Sequence, residues 1–316
     1  MNMMTKNFSR RGFLGRSVLA TGGALLGGVE GVRAAEGEGA GEMPMVSVFT
    51  KHFQGLDFER LADAIVATGV KGVDAPVRKG GHVEPERVEE DLPKLAAVLK
   101  DRGLTLTMLT TGINAVNEEQ HTEKVLRTAK ALGVMHYRMN YFRYDLKKPI
   151  WDQVEEWKPA IKDLAALSKE IGIGAMYQNH SGKEYFGAPV WDAYGVLREY
   201  PVEQMSFAFD IMHAMIEGGK SWPLELALVK ENVGAYYFKN FKPMEGGKFQ
   251  DCPLKDGVVG KGYVEELKKL KWTGPVSLHV EYLKGSVKEE GYLEKAIAAT
   301  KGDLATLTEW WGASQG

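Results

Sequence analysis

Short apolar runs alternate with longer amphipathic segments along the chain from Pro44 onward. Short apolar runs predict buried strands, whereas hydrophobic residues that recur every three to four positions predict helices. The predicted strands are residues 45–50, 71–76, 104–110, 135–140, 173–178, 205–210, 233–239 and 275–282. The predicted helices are residues 57–68, 85–102, 119–132, 150–171, 190–200, 223–232, 263–272 and 288–311. This alternation predicts an α/β protein whose strands are covered by helices.

Four of the predicted helices end at a glycine that an apolar strand follows directly. These glycines are Gly69, Gly103, Gly133 and Gly172. Glycine ends a helix at little cost because it adopts the left-handed backbone conformation without steric penalty. Eight such strand–helix units predict a single (β/α)8 barrel, the TIM barrel. A doubly wound open sheet is the alternative, and it is disfavoured because no glycine-rich phosphate loop follows the first strand.

The N-terminus has the features of an export signal. Residues 9–14 (SRRGFL) match the twin-arginine motif, an apolar glycine-rich stretch follows, and residues 32–34 offer a cleavage site. We therefore expect residues 1–34 to be a signal peptide and the protein to be periplasmic or otherwise exported. Residues 35–44 are rich in Gly and Glu, which predicts a flexible linker. The barrel then occupies residues 45–316.

The composition limits the possible partners of the chain. The 316 residues include 40 Lys and Arg and 42 Asp and Glu, and residues 1–34 hold five of the basic and one of the acidic residues. The remaining chain has a net charge near −6 and no basic patch with interleaved aromatic residues, so we expect no nucleic-acid partner. No apolar run after the signal is long enough to span a membrane. The single cysteine, Cys252, excludes an intramolecular disulfide and a thiolate-rich zinc site.

The last predicted strand carries polar residues on a face that would be apolar in an ordinary core. Alternate residues of a strand point the same way, so Ser277, His279 and Glu281 share one face. These side chains are costly to bury without partners, which a metal ion or a sugar substrate would supply. His279 lies deeper than Glu281 along the strand, which favours a supporting position for the imidazole. We therefore expect the last strand to carry residues of the active site.

Polar side chains also follow the carboxyl ends of the other predicted strands, where barrel enzymes carry their catalytic groups. Four of the seven histidines are among them. Structural alternatives exist, since Asp210 can cap a helix, His213 can pack against the barrel and Arg138 can pair with Asp74 or Glu281. The strand-end residues are Lys51, His52, Asp74, Arg78, His82, Arg138, Asn140, Tyr141, Gln178, His180, Asp210, His213, Lys239 and Asn240.

These residues give the chain a resemblance to the xylose isomerase-like barrels. Within them, it resembles the sugar phosphate isomerase/epimerase family that includes ketose 3-epimerases and inosose dehydratase. Residues 178–180 (QNH) are similar to the family's Glu-Asn-His, and residues 210–213 (DIMH) match its Asp-x-x-His. Residues 237–240 (YFKN) are similar to its His-x-Lys-Asp, and Glu281 matches its eighth-strand Glu. The likeness extends over residues 45–311.

The resemblance implies a divalent metal ion at the barrel mouth. Gln178, Asp210 and Glu281 are the implied ligands, with a fourth from His180, His213 or water. Oxygen and neutral nitrogen ligands without a thiolate suit Mn²⁺, Mg²⁺, Co²⁺ or Zn²⁺.

The resemblance also implies an enzyme that moves a proton next to the carbonyl group of a free sugar or keto-sugar. We expect Glu281 to be the base and Lys239 or His213 to be the second proton-transferring group. The substrate is expected to be a small carbohydrate. The residues expected to bind it are His82, Arg138, His180 and Asp74.

Two departures from the family pattern keep other functions open. Gln178 replaces a carboxylate that takes part in acid–base chemistry, and Tyr237 stands where a metal-binding histidine is expected. A keto-glycoside lyase or hydratase is therefore one alternative. A non-catalytic carbohydrate-binding barrel that has lost its metal is another alternative. The sequence is also compatible with a homo-oligomer.

Overall fold

Eight parallel strands close into a barrel in the computed structural model, which describes residues 43–312. The predicted (β/α)8 barrel is confirmed. The predicted signal peptide, residues 1–34, and nearly all of the predicted linker lie outside the described residues, as do residues 313–316.

The eight barrel strands follow chain order around the ring, and the last of them, β10 (Val276–His279), closes it by pairing with both β7 (Val233–Phe238) and β1 (Val46–Phe49). Every pairing in the ring is parallel, so all carboxyl ends open at one mouth. Two further strands, β8 and β9, form an antiparallel pair. The strands are β1 (Val46–Phe49), β2 (Gly72–Val77), β3 (Thr105–Thr111), β4 (His136–Arg138), β5 (Gly174–Gln178), β6 (Met205–Asp210), β7 (Val233–Phe238), β8 (Asn240–Pro243), β9 (Phe249–Cys252) and β10 (Val276–His279).

The helices surround the barrel and bury their apolar faces against it. Two of them end at glycines in the left-handed conformation, Gly69 with φ 84° and Gly172 with φ 76°, as their positions in the sequence predict. None of the helices in residues 43–312 is long and apolar enough to cross a membrane. The helices are α1 (Phe58–Thr68), α2 (Val88–Asp101), α3 (Thr122–Ala131), α4 (Ile150–Ile171), α5 (Trp191–Leu197), α6 (Ile211–Gly218), α7 (Trp222–Val229), α8 (Lys261–Lys269) and α9 (Tyr292–Gly312).

Three regions differ from the sequence-based expectation. The strand predicted over residues 275–282 ends at His279, so Glu281 lies in the segment after β10. The helix predicted over residues 223–232 is preceded by α6, which begins directly after β6 and was not predicted. The loop predicted after the seventh strand contains the β8–β9 hairpin.

The hairpin is anchored next to the barrel mouth by one side chain. The Asn240 amide donates to the carbonyl oxygens of Leu254 at 2.6 Å and Val259 at 2.8 Å, and its oxygen accepts from the Val259 amide at 2.8 Å. Asn240 immediately follows Lys239, so these bonds also fix the backbone that presents the lysine. The chain after β7 is therefore held firmly where the predicted chemistry lies.

Candidate functional site

Lys239 lies at the centre of a cluster of charged side chains at the barrel mouth. It follows β7 directly, and only 5% of its surface is exposed. Its Nζ atom lies 3.0 Å from Glu281 Oε2 and 3.2 Å from Asp210 Oδ2. The more exposed Lys51, which follows β1, approaches the other oxygen of Glu281 at 2.9 Å. The sequence-predicted residues Lys239, Asp210 and Glu281 are thus brought together by the ends of β6, β7 and β10.

Asp210 is both a helix cap and a member of this cluster. It is the last residue of β6 and the N-cap of α6. Its Oδ1 accepts from the backbone amides of Met212 at 3.1 Å and His213 at 3.3 Å in the first turn of that helix. Its Oδ2 accepts from Gln178 Nε2 at 2.7 Å and faces the Lys239 ammonium. The carboxylate is fully buried. Both oxygens are therefore already satisfied by donors.

The orientation of the Gln178 amide is fixed by its other neighbours. Its Oε1 accepts from Arg138 Nη1 at 2.9 Å and from the Tyr141 hydroxyl at 2.6 Å. Arg138 also contacts the Tyr141 hydroxyl directly. Because Arg138 has only donors, Gln178 must point its oxygen at Arg138 and its NH2 group at Asp210.

His180 and His213 form a neighbouring pair with ring centroids 3.9 Å apart. His213 Nδ1 lies 2.8 Å from Ser181 Oγ, and its Nε2 lies 3.7 Å from Asp210 Oδ2. Burial, reinforced by the charge of Lys239, lowers the pKa of His180 to about 4 and that of His213 well below its usual value. Both imidazoles are therefore neutral near pH 7.

The charge states of the lysine and the glutamate are set by each other. Burial alone would lower the pKa of Lys239, but Asp210 and Glu281 outweigh burial and raise it. Burial would raise the pKa of Glu281, but Lys239, His279 and Lys51 together hold it well below its usual value. The resting site therefore contains a stable ammonium and a stable carboxylate.

Two residues expected to bind substrate do not line the mouth. Asp74 is fully buried one layer below, where its carboxylate accepts from the hydroxyls of Thr110 at 2.9 Å and Ser277 at 3.0 Å. His82 Nε2 lies 3.1 Å from the backbone oxygen of Thr50, and burial lowers its pKa to about 4. Both positions indicate support of the barrel end rather than direct contact with a ligand. Substrate binding by Asp74 and His82 stays a prediction, and neither residue lies in the wall of the cavity described next.

A cavity of about 130 Å³ opens at the cluster. A second cavity of about 300 Å³ adjoins it and shares Lys51 and Glu281 in its wall. From the sequence, Lys51, Arg78 and Tyr141 are strand-end residues without a role. The signal for each is its position within three residues of the end of β1, β2 or β4. The wall of the first cavity includes Lys51, Arg78, Arg138, Tyr141, Lys239 and Glu281, and the expected binding residue His180 also lies there.

The residues do not fit the divalent metal ion that the sequence led us to expect. Gln178 directs its NH2 group, not its oxygen, at Asp210, and Asp210 and Glu281 already hold the Lys239 ammonium. Tyr237 is buried, with its hydroxyl 3.8 Å from Met108 sulfur, and offers no ligand. Within residues 43–312, no three His, Cys, Asp or Glu side chains are placed to hold a metal. The role of Gln178, Asp210 and Glu281 as metal ligands stays a prediction that this arrangement of side chains does not support.

Comparisons with known proteins agree with the barrel. The sequence matches the family described as xylose isomerase-like TIM barrel over residues 62–302. D-psicose 3-epimerase from Clostridium cellulolyticum H10 has a TM-score of 0.61 at 12% identity, covering 83% of this chain and 99% of that chain. The 3-keto-D-glucoside 4-epimerase YcjR from E. coli has a TM-score of 0.59 at 14% identity, covering 84% of this chain and 100% of that chain.

A third similar structure belongs to a different reaction class. The probable 3-DHS dehydratase AsbF from Bacillus anthracis has a TM-score of 0.63 at 16% identity, covering 84% of this chain and 99% of that chain. At these identities the likeness establishes the fold alone. No curated protein matches the sequence.

Proposed function

Since this chain belongs to the xylose isomerase-like TIM barrel family, we propose that it is an enzyme that transfers a proton next to the carbonyl group of a free sugar or keto-sugar. The observation that carries the proposal is the Lys239 ammonium held between Glu281 and Asp210 in the wall of a cavity at the barrel mouth. A base and a cation side by side are what removal of such a proton requires, because negative charge then develops on the carbonyl oxygen. The epimerases among the similar structures support this reaction class.

Lys239 has two successive tasks in the proposed reaction. In the resting protein it holds the pKa of Glu281 low, which makes the carboxylate a weak base. When a substrate carbonyl oxygen accepts a hydrogen bond from Lys239, the ammonium moves away from Glu281 and the pKa of Glu281 rises. Glu281 then takes the proton from the adjacent carbon, and the electron pair of that C–H bond forms the enolate. Lys239 stabilises the enolate oxygen, so the cation follows the negative charge from carboxylate to substrate.

The second half of the reaction needs a group other than Gln178, since an amide cannot take up or return a proton. Lys239 and the neutral His213 are the candidates, and both lie beside Asp210. Return of a proton to carbon completes an epimerisation or isomerisation.

A keto-glycoside lyase or hydratase is the second candidate function. One observation favours it, namely that Glu281 has no matched second base, because Asp210 is held by the backbone amides that begin α6, by Gln178 and by Lys239. In that reaction the same enolate expels a hydroxyl or alkoxide group from the next carbon, and the Lys239 ammonium donates the proton to the leaving oxygen. The neutral His213 can donate instead only after it has taken up a proton, such as the one that Glu281 removes from carbon.

The test is turnover of a panel of free ketoses, keto-sugars and 3-keto-glycosides, followed by NMR. Wild-type protein is compared with Glu281→Gln, which keeps the shape of the side chain and removes the base. We expect turnover of at least one class and a loss of at least about 100-fold in the variant. An epimer identifies the first reaction, and an unsaturated ketone or its hydrate identifies the second. Binding without turnover across the panel would instead indicate the non-catalytic carbohydrate-binding barrel.

A further inference from the structure

We infer that the substrate carries a carboxylate group, and that Arg78 and Arg138 bind it in the cavity beside Lys239. The inference rests on the proposed function in taking this cavity as a substrate site. The chemical class that follows is an acidic keto-sugar, such as a uronic acid derivative, rather than a neutral sugar. The observation behind it is that two guanidinium groups in the cavity wall contact no carboxylate among residues 43–312.

Arg138 is a buried cation at the barrel mouth. It is the last residue of β4, and only 4% of its surface is exposed. Its Nη1 contacts the neutral groups of Gln178 and Tyr141, and its Nε has no hydrogen-bond partner among residues 43–312. Burial would lower the pKa of Arg138, but the nearby tyrosines together with Asp74 and Glu281 raise it, so the guanidinium stays charged. A buried Nε–H without a partner is costly, because burial removes its hydrogen bond to water.

Arg78 adds a second cation from the neighbouring side of the mouth. It follows β2 directly and is partly buried, with its guanidinium 5.6 Å from the centre of the Phe49 ring. It makes no ion pair with any residue that the structure describes. Burial and the charge of Arg138 both lower its pKa, which shows that the two cations act on each other.

The carboxylates near these arginines are already occupied. Glu281 is held by Lys51 and Lys239, and Asp210 by Lys239 together with Gln178. Asp74 lies below the cavity and accepts from two hydroxyls. Lys51, Lys239, Arg78 and Arg138 are four cations, and Asp74, Asp210 and Glu281 are three carboxylates. One positive charge, on the arginine side of the cavity, is therefore left for a ligand.

A carboxylate fits this arrangement better than a phosphate. The guanidinium fork can donate two parallel hydrogen bonds to the two oxygens of a planar carboxylate. A carboxylate carries one negative charge, whereas a phosphate monoester carries nearly two near pH 7. One negative charge balances the single positive charge in excess around the cavity, whereas two negative charges would exceed it. The structure therefore favours a singly charged acid.

The experiment measures binding, so that it is independent of turnover. Isothermal titration compares D-galacturonate with D-galactose and D-galactose 6-phosphate, and D-glucuronate with D-glucose, at low and high salt. The variant is Arg78→Gln, and the matched control is Lys79→Gln, which removes the same charge from the exposed neighbouring residue. Arg138→Lys serves as a second variant that keeps the charge and loses the fork.

We expect each uronate to bind wild-type protein at least about tenfold more tightly than its neutral counterpart, with the difference reduced by salt. Arg78→Gln and Arg138→Lys should remove most of this preference, and Lys79→Gln should keep it. Equal binding of neutral and acidic sugars, tighter binding of the sugar phosphate, a preference unchanged in both arginine variants, or no binding of either uronate would each overturn the inference. Uronate-selective binding without turnover would support it and count against the proposed reaction.

Discussion

Replacing Lys239 by Met removes the ammonium while keeping most of the side-chain volume. Asp210 and Glu281 then stay at the barrel mouth without the cation that lies 3.2 Å and 3.0 Å from them. Removing one partner of a buried ion pair costs about 3–5 kcal/mol, because the remaining charge is left uncompensated. Lys51→Met is the matched control. Lys51 pairs with Glu281 at 2.9 Å, but 51% of its side chain is exposed, so its removal should cost about 0–1 kcal/mol.

The assay is urea unfolding followed by circular dichroism, at pH 8 and at pH 5. In wild-type protein the pKa of Glu281 is well below its unfolded value, so its contribution to stability is present at both pH values and is lost only at lower pH. In Lys239→Met, Glu281 loses the cation that does most to lower its pKa, so its pKa rises and its protonation relieves part of the repulsion between the two carboxylates. The cost should therefore be smaller at pH 5 than at pH 8.

The same variant tests whether the ammonium takes the place of a divalent cation. Wild-type protein should show no change of Tm with Mn²⁺, Co²⁺ or Zn²⁺, because Asp210 and Glu281 already bind Lys239. In Lys239→Met the freed carboxylates should allow these ions to raise the Tm. A cost in Lys239→Met no larger than in Lys51→Met, or a metal-dependent rise of Tm in the wild type, would refute the reasoning.

Three further predictions concern other parts of the chain. His82 stays neutral down to pH about 4, whereas the unfolded chain takes up the proton below about 6.5. The stability advantage of wild type over His82→Gln in urea unfolding should therefore fall by about 3 kcal/mol from pH 7 to pH 4. Burial and nearby Glu217 raise the pKa of Glu225 to about 7. Glu225→Gln should thus stabilise the fold by about 1 kcal/mol at pH 8 and not at pH 5, and equal effects would contradict this. Mass spectrometry of exported protein should find a mature N-terminus near Ala35, and changing Arg10 and Arg11 to Lys should keep the protein inside the cell.

The convergence of the site was predictable from the sequence. Carboxyl ends of parallel strands meet at one mouth, so Asp210, Lys239 and Glu281 are expected together once the strands are recognised. Their contact distances of 3.0 Å and 3.2 Å agree with this. The end of the last strand was not predictable in the same way. Glu281 continues the alternation of the strand after His279, but the hydrogen-bonded ladder ends at His279.

The remaining features depend on partners that sequence spacing cannot reveal. The direction of the Gln178 amide is decided by Arg138 and Tyr141, which lie about 40 residues away in sequence. Strand alternation places Asp74 inside the barrel but does not give its depth, so its position below the cavity was missed. Arg78 was not assigned a role because the lack of an ion-pair partner is visible only in the folded arrangement.

Deuterium exchange tests the central proposal most directly. A sugar that the protein converts is incubated with it in deuterated water, and the carbon next to the carbonyl group is followed by NMR. We predict that one deuterium enters at that carbon with wild-type protein and that Glu281→Gln abolishes both exchange and conversion, while Lys51→Met retains exchange. An epimerised or isomerised product without any deuterium at that carbon, or full exchange in Glu281→Gln, would contradict proton transfer by Glu281.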